Sequence, residues 1–183
     1  EIIKHRNYNP RIIEFITDNN RFQKELDANK YKEIVLEKLK NPKDIWKKTF
    51  ENQITNKSKL LLTTFFSLQN TNEDVLKKAF NARIKYEIEN NGFKKETNLF
   101  KICMNELLGG FLNRKIYNYD GFNFVLIEYF NPSIIDFFLN YIAFENTDEK
   151  WDIIKSSIYF EQLTYRFTIE KDTEKNRGKI NFE

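Results

Sequence analysis

The sequence predicts a mainly α-helical fold carrying one β-hairpin, and three observations predict it. Each of the three prolines follows an asparagine, at Asn9-Pro10, Asn41-Pro42 and Asn131-Pro132. Asn is a favoured N-cap and Pro is pre-shaped for the first helical position, so each pair reads as a helix start. Apolar residues recur at helical spacing along most of the chain, but between Lys115 and Tyr129 the pattern switches to alternation around Asp120-Gly121. Only five Gly in 183 residues argue against a turn-rich β sandwich. Hydrophobic residues make up 40%, with 18 Phe and 9 Tyr, so a core is available. Each large apolar side chain stabilises by roughly 1.5–3 kcal/mol once buried.

Taken in order, the first helix begins at Pro10 with Ile12, Ile13 and Ile16 inward, and the polar stretch from Asp18 to Asn20 ends it. A second, near Tyr31 to Leu39, places Ile34, Val35 and Leu39 on one stripe. A third starts at Pro42, where Asp44 suits the positive helix N-terminus, and buries Ile45, Trp46 and Phe50. A fourth, from about Ser58 to Leu68, is apolar on most of its circumference and belongs at the centre. Thr71 and Asp74 form a capping-box-like pair opening a fifth helix, whose inner face is Val75, Leu76, Ala79, Phe80, Ile84 and Ile88. Asn90-Asn91-Gly92 ends it. A sixth, about Thr97 to Asn113, carries Leu99, Phe100, Ile102, Cys103, Leu107 and Leu108. Gly109-Gly110 loosens its last turns or permits close packing. Lys115 to Tyr119, Asp120-Gly121 and Phe122 to Tyr129 then form a hairpin with a type I′ turn. Pro132 starts a long helix through about Phe144, and Thr147 caps a last one through about Leu163.

Three helices followed by a hairpin have the order of a winged-helix domain. The expected organisation is a small helical lid-like bundle over residues 1–54, a winged-helix domain over 55–145, and over 146–183 the start of a further helical region with a polar tail. A start at Glu1 without Met and the irregular tail from Lys171 read as a piece of a larger protein.

Lys and Arg number 30 against 27 Asp and Glu, a net charge of +3, too mild to declare a nucleic-acid binder without a clustered basic face. A single cysteine, Cys103, excludes an internal disulfide framework and fits a reducing, cytoplasmic setting. The longest apolar run, Leu60 to Leu68, is interrupted by Thr63, Thr64 and Ser67 and falls well short of the roughly 20 residues a bilayer span needs. No membrane partner is expected.

Few residues could carry chemistry. With His5 the only histidine and Cys103 the only thiol, the usual zinc ligand sets cannot be assembled, and no metal site is expected. Cys103, between Ile102 and Leu107, reads as core. The carboxylate pairs at Glu73-Asp74, Glu87 and Glu89, and Asp148-Glu149 read as helix N-termini or solvated faces. No phosphate-cradling G-x-x-x-x-G-K-[ST] occurs, so no self-sufficient catalytic site and no nucleotide hydrolysis are expected of this chain by itself.

Two segments stand out: His5-Arg6-Asn7-Tyr8-Asn9-Pro10-Arg11-Ile12-Ile13-Glu14 and Phe130-Asn131-Pro132-Ser133-Ile134-Ile135-Asp136-Phe137. Together with Asn41-Pro42, Trp46, Phe50 and the Leu60-Leu61-Leu62 helix, they resemble the region after the ATPase core of STAND NTPases, signal-transducing ATPases with numerous domains. The resemblance is strongest to the third "novel STAND" type of bacterial antiviral systems and covers roughly residues 1 to 145. It implies an AAA+-like lid, a winged-helix domain and a helical region that senses a trigger. It also implies ATP or ADP with Mg bound by an ATPase core upstream, and homo-oligomers of the parent protein. Carried over, Pro10 and Arg11 match the lid motif that approaches the nucleotide. Asn131, followed by Ser133, stands where many relatives have a His holding the β-phosphate of ADP. Asn carries no positive charge, a departure from the pattern, and the Walker motifs are missing from the chain.

The residues leave alternatives open. Arg11, at a helix N-terminus that favours anions, either meets a phosphate or is solvated and pairs with Glu14; Asn131 and Ser133 either contact nucleotide or simply cap their helix. Rival functions are a winged-helix nucleic-acid module, its basic groups being Lys94, Lys95, Lys101 and Arg114, and a protein-interaction scaffold using the aromatic segment Trp151 to Phe167.

Overall fold

A computed structural model describes residues 27–40, 42–169 and 178–181. The first Asn-Pro pair, and with it Pro10 and Arg11, lies outside the described residues. Helix α1 (Ala28–Lys40) buries Val35 and Leu39. The Asp27 carboxylate caps it, accepting from the backbone N–H of Asn29 and Lys30 at 2.8 and 3.0 Å. Helix α2 (Lys43–Asn52) starts at the second Asn-Pro pair: the Pro42 carbonyl accepts from Ile45 and Trp46 at 3.0 and 3.1 Å. Ile45, Trp46 and Phe50 are buried, as their spacing predicts.

Helix α3 (Asn56–Leu68) is the centre of the molecule, buried without a break from Leu60 to Leu68, with the helices that follow it packed around it. Its polar residues are tolerated there because each hydroxyl bonds back into the helix. Thr63 and Thr64 donate to the Leu60 carbonyl at 3.2 and 2.7 Å, and Ser67 to that of Thr64 at 2.7 Å. Helix α4 (Glu73–Asn90) is capped by Asn72, whose side chain accepts from the Val75 N–H at 2.9 Å. The Thr71–Asp74 capping box therefore does not form. Thr71 is instead committed to a backbone bridge with Ile127, with N···O distances of 3.4 and 2.8 Å.

Helix α5 (Leu99–Leu107) is shorter than its apolar run. Asn98 sits in the left-handed region, which delays its start, and the backbone turns at Gly109, where φ is +76° and a side chain would be strained. The hairpin follows in the predicted register: β1 (Leu112–Tyr119) pairs antiparallel with β2 (Phe122–Tyr129), Tyr119 facing Phe122 across the turn. Both Asp120 (φ +52°) and Gly121 (φ +82°) take the left-handed conformation that a type I′ turn demands. The order α3, Thr71 bridge, α4, α5, β1, β2 makes a winged-helix-like unit within a mainly helical chain.

Helix α6 (Ser133–Asn140) does not run straight to Phe144; it widens into a π-helical turn, Tyr141–Glu145. The last predicted helix breaks as well, into α7 (Thr147–Ser156) and the short α8 (Glu161–Thr164). The break has a side-chain cause. Gln162 reaches back with its Oε1 to accept from the N–H groups of Ile158 and Tyr159, holding the chain in a turn that a continuous helix would not allow. A two-residue parallel pairing of β3 (Phe167–Thr168) with β4 (Ile180–Asn181) follows. One apolar core joins these elements from Val35 to Ile180. Its aromatic centre is Phe50, whose ring meets those of Phe137, Phe138 and Tyr141 at 5.2–5.6 Å.

Candidate functional site

The start of α6 is the one sequence-predicted site that falls within the described residues. Asn131 and Ser133 are both buried. The Asn131 Oδ1 accepts from the Ser133 N–H at 2.9 Å and from the Ser133 hydroxyl at 2.7 Å. That hydroxyl in turn accepts from the indole Nε1–H of Trp46, at 2.8 Å and fully buried. Pro132, with helical φ and ψ, takes the cap position of α6 rather than its first residue, one place later than read from sequence, and the Asn131 side chain bonds the Ser133 N–H just inside. What the sequence could not show is the third member: Trp46, on α2, closes a chain of hydrogen bonds between segments 87 positions apart. The Trp46 ring also packs on Phe111 at 5.6 Å, and Lys47 pairs with Glu145 at 2.6 Å. The acceptor oxygen of Asn131 and the hydroxyl of Ser133 are thus occupied inside the protein, binding the helix before the winged unit to the helix after it.

A second polar centre lies between α4 and α7. Arg83 is buried, with Glu87 at 2.7 Å, Glu149 at 3.0 Å and Asp152 at 3.7 Å. Asn91 donates to the far oxygen of Glu87 at 2.7 Å, and the Tyr86 hydroxyl donates to Asp152 at 2.9 Å. The Arg83 Nη1 is buried with no hydrogen-bond partner, and the Glu149 Oε1 meets Arg83 as a charge contact without hydrogen-bond alignment. Burial pushes the Glu149 carboxyl above its ordinary range, the neighbouring Arg83 only partly offsetting this. Glu87 is therefore not on a solvated face as its sequence context suggested; Glu149 stands in the first turn of α7, as read, but turns inward, whereas Glu89 and Asp148 are exposed. The inner stripe of α4 is Leu76, Ala79, Phe80, Arg83 and Glu87, and Ile84 and Ile88 are only half buried. Spacing did carry the signal: Arg83 and Glu87 continue the 76–80 stripe at helical intervals, but their charge argued against placing them inside.

Near the start of α3, Glu106 accepts from the Thr55 N–H and hydroxyl, each at 2.8 Å, and from the Ser58 hydroxyl. Burial alone would push its carboxyl up, but these bonds win and hold it below the ordinary range. Cys103 is buried beside them, and burial raises its thiol. Since the thiolate is the reactive form, Cys103 is expected to stay unmodified by a thiol reagent in the native chain and to react fully in denaturant. Prompt stoichiometric labelling of native protein would contradict the core placement.

Of the basic groups proposed for nucleic acid, Lys94, Lys95 and Lys101 are exposed, and Arg114 is the one neutralised by an acidic neighbour. Arg114 binds Glu73 with two hydrogen bonds, at 2.9 and 3.2 Å, Lys115 lies 3.7 Å from Glu128, and Lys57 pairs with Glu96. The exposed side of α5 presents Lys101 and Asn105 together with Ile102, an apolar group. Among the described residues no group of His, Cys, Asp and Glu is arranged to hold a metal ion, and no helix is long and apolar enough to cross a membrane. No protein-family model matches the chain, and neither curated proteins nor solved structures give a match.

Proposed function

We propose that the chain is the regulatory part of a STAND-type nucleotide switch, a helical lid joined to a winged-helix unit that closes over ATP or ADP with Mg held by an ATPase core elsewhere in the parent protein. The observation that carries this reading is the buried Trp46–Ser133–Asn131 connection. A lid that must swing with the winged unit needs a stiff joint between the two, and a desolvated indole–hydroxyl–amide chain within an aromatic core supplies one. In this reading Asn131 and Ser133 act on the nucleotide through the helix they hold, and direct contact falls to Pro10 and Arg11.

Neutralisation of Arg114 by Glu73, and the apolar Ile102 on the exposed side of α5, support this reading over a nucleic-acid module, which needs several free phosphate contacts. The test joins the chain to the parent's ATPase core and measures ADP affinity after Arg11→Ala. A charge-assisted hydrogen bond to phosphate predicts a loss of about ten- to a hundredfold; unchanged affinity removes Arg11 from the mechanism. Tight, steeply salt-dependent DNA or RNA retention by the chain alone at low salt would overturn the reading as a whole.

A further inference from the structure

Asn91-Gly92, where α4 ends, is the one Asn-Gly step in the sequence. An asparagine followed by glycine is open to attack within the chain, because a glycine nitrogen reaches the side-chain amide carbon with no β-carbon of its own in the way. Both residues are exposed, and a side chain at position 92 would meet open space. The Glu87 carbonyl accepts from the N–H groups of Asn91 and Phe93, at 2.9 and 3.3 Å, and passes over the one between them. Among the described residues the Gly92 N–H has no acceptor, so its nitrogen is uncommitted.

The side chain of Asn91, by contrast, is committed. Its Nδ2 donates to Glu87 Oε2 at 2.7 Å, while Glu87 Oε1 accepts from the Arg83 Nε at 2.7 Å. Asn91 is thus the outermost member of the cluster that ties α4 to α7 through Glu149 and Asp152. At its ψ of 12° the Gly92 nitrogen lies away from the side-chain carbon. Attack therefore requires the last turn of α4 to open and the amide to leave Glu87, a local event far smaller than global unfolding.

We propose that Asn91-Gly92 is a self-modification site, a deamidation guarded by Glu87, and that its conversion loosens α4 from α7. The inference is independent of the nucleotide reading, and the reaction needs only water. The deprotonated Gly92 nitrogen bonds to the Asn91 Cγ, the Cγ–Nδ2 bond breaks, and ammonia leaves with the proton. Water then adds to either carbonyl of the five-membered ring, and opening gives an aspartate or an isoaspartate. The product sets a carboxylate against Glu87 where an N–H donor stood and adds a fourth acid beside one guanidinium. It also puts negative charge at a helix C-terminus, where the dipole disfavours it.

The test ages the 183-residue chain in mildly alkaline buffer and follows the peptide containing Asn91 by mass and by methylation with an isoaspartyl methyltransferase. Conversion is expected in the native chain, at least about tenfold slower than in denaturant. In the converted fraction the amides of α7 are expected to exchange faster with deuterium. Asn91→Asp is expected to lower the folding equilibrium constant at least about threefold more than Asn91→Ala, through repulsion from Glu87. Adding Glu87→Gln is expected to abolish or reverse that gap. The converted fraction of the aged chain gives the same comparison without relying on a variant's folding. An Asn91 that keeps its amide in the native chain while the denatured chain converts fully overturns the proposal. So does conversion as fast folded as unfolded, or a converted chain whose stability and α7 exchange match the parent's.

Discussion

Replacing Arg83 with methionine is expected to destabilise the chain by about 3–5 kcal/mol, the cost of stripping one partner from a buried ion network. Methionine keeps much of the volume, so the loss comes from electrostatics. Without the guanidinium, Glu87, Glu149 and Asp152 face one another across α4 and α7, with Glu87 and Glu149 largely out of water. The pH dependence separates this from a packing defect. The Glu149 carboxyl is already raised above its ordinary value of 4.5 by burial, and removing Arg83 raises it further. A group whose folded-state value is raised contributes stability that is full below the unfolded value and is lost as pH rises through the folded one. The deficit of Arg83→Met is therefore largest at neutral pH and shrinks as the pH falls toward the ordinary carboxyl range. Glu149→Gln is expected to cost little at neutral pH or to stabilise, because it removes a poorly aligned buried charge while Arg83 keeps Glu87. Denaturant titrations of both variants at two pH values decide the matter. An Arg83→Met chain within about 1 kcal/mol of the parent at neutral pH would mean that the network is solvated and contributes no more than a surface pair.

Features legible in the sequence are those set by local chemistry. Asp120-Gly121 declares its turn because few other residues accept two consecutive left-handed conformations, and the alternation of Ile116 to Phe124 follows from the pleat. The Asn-Pro pairs at 41 and 131 mark helix starts because cap and first-turn preferences depend on neighbours alone. Illegible features are decided by residues far apart in sequence. Thr71 forgoes a capping box because Ile127, across the fold, offers its backbone a partner. Arg83 enters the core because Glu87 bonds it from the same helix and Glu149 and Asp152, on another helix, close around it. The helix predicted from Thr147 to Leu163 stops at Ser156 because the Gln162 side chain bonds the N–H groups beyond the break and Ser67 anchors its amide at 3.1 Å. For the candidate site the same division holds: Asn131 capping Ser133 is a two-residue event, whereas the indole that completes it arrives from α2 by tertiary packing alone.

That indole carries the other large expected effect. Trp46 has no exposed surface, packs on Phe111 and donates to Ser133, so Trp46→Ala is expected to cost about 3–5 kcal/mol through lost burial and the cavity left behind. Ser133→Ala tests the polar half of the joint. It leaves the indole N–H buried without its acceptor and strips one donor from Asn131, and is expected to cost about 1–3 kcal/mol. Trp46→Phe removes the donor while keeping an aromatic ring. If the three groups act as one unit, adding Ser133→Ala to Trp46→Phe costs less than the sum of the single changes, because the bond between them has already gone. Strict additivity would mean that the 2.8 Å contact contributes nothing and that α2 is held to α6 by apolar packing alone. In the chain joined to its ATPase core, the same pair of variants tells a joint from a ligand contact. Loosening a joint lowers the affinity for ADP equally through either residue, since both release the same helix. A direct phosphate contact by Ser133 lowers it only when Ser133 is changed, and Trp46→Phe leaves it untouched.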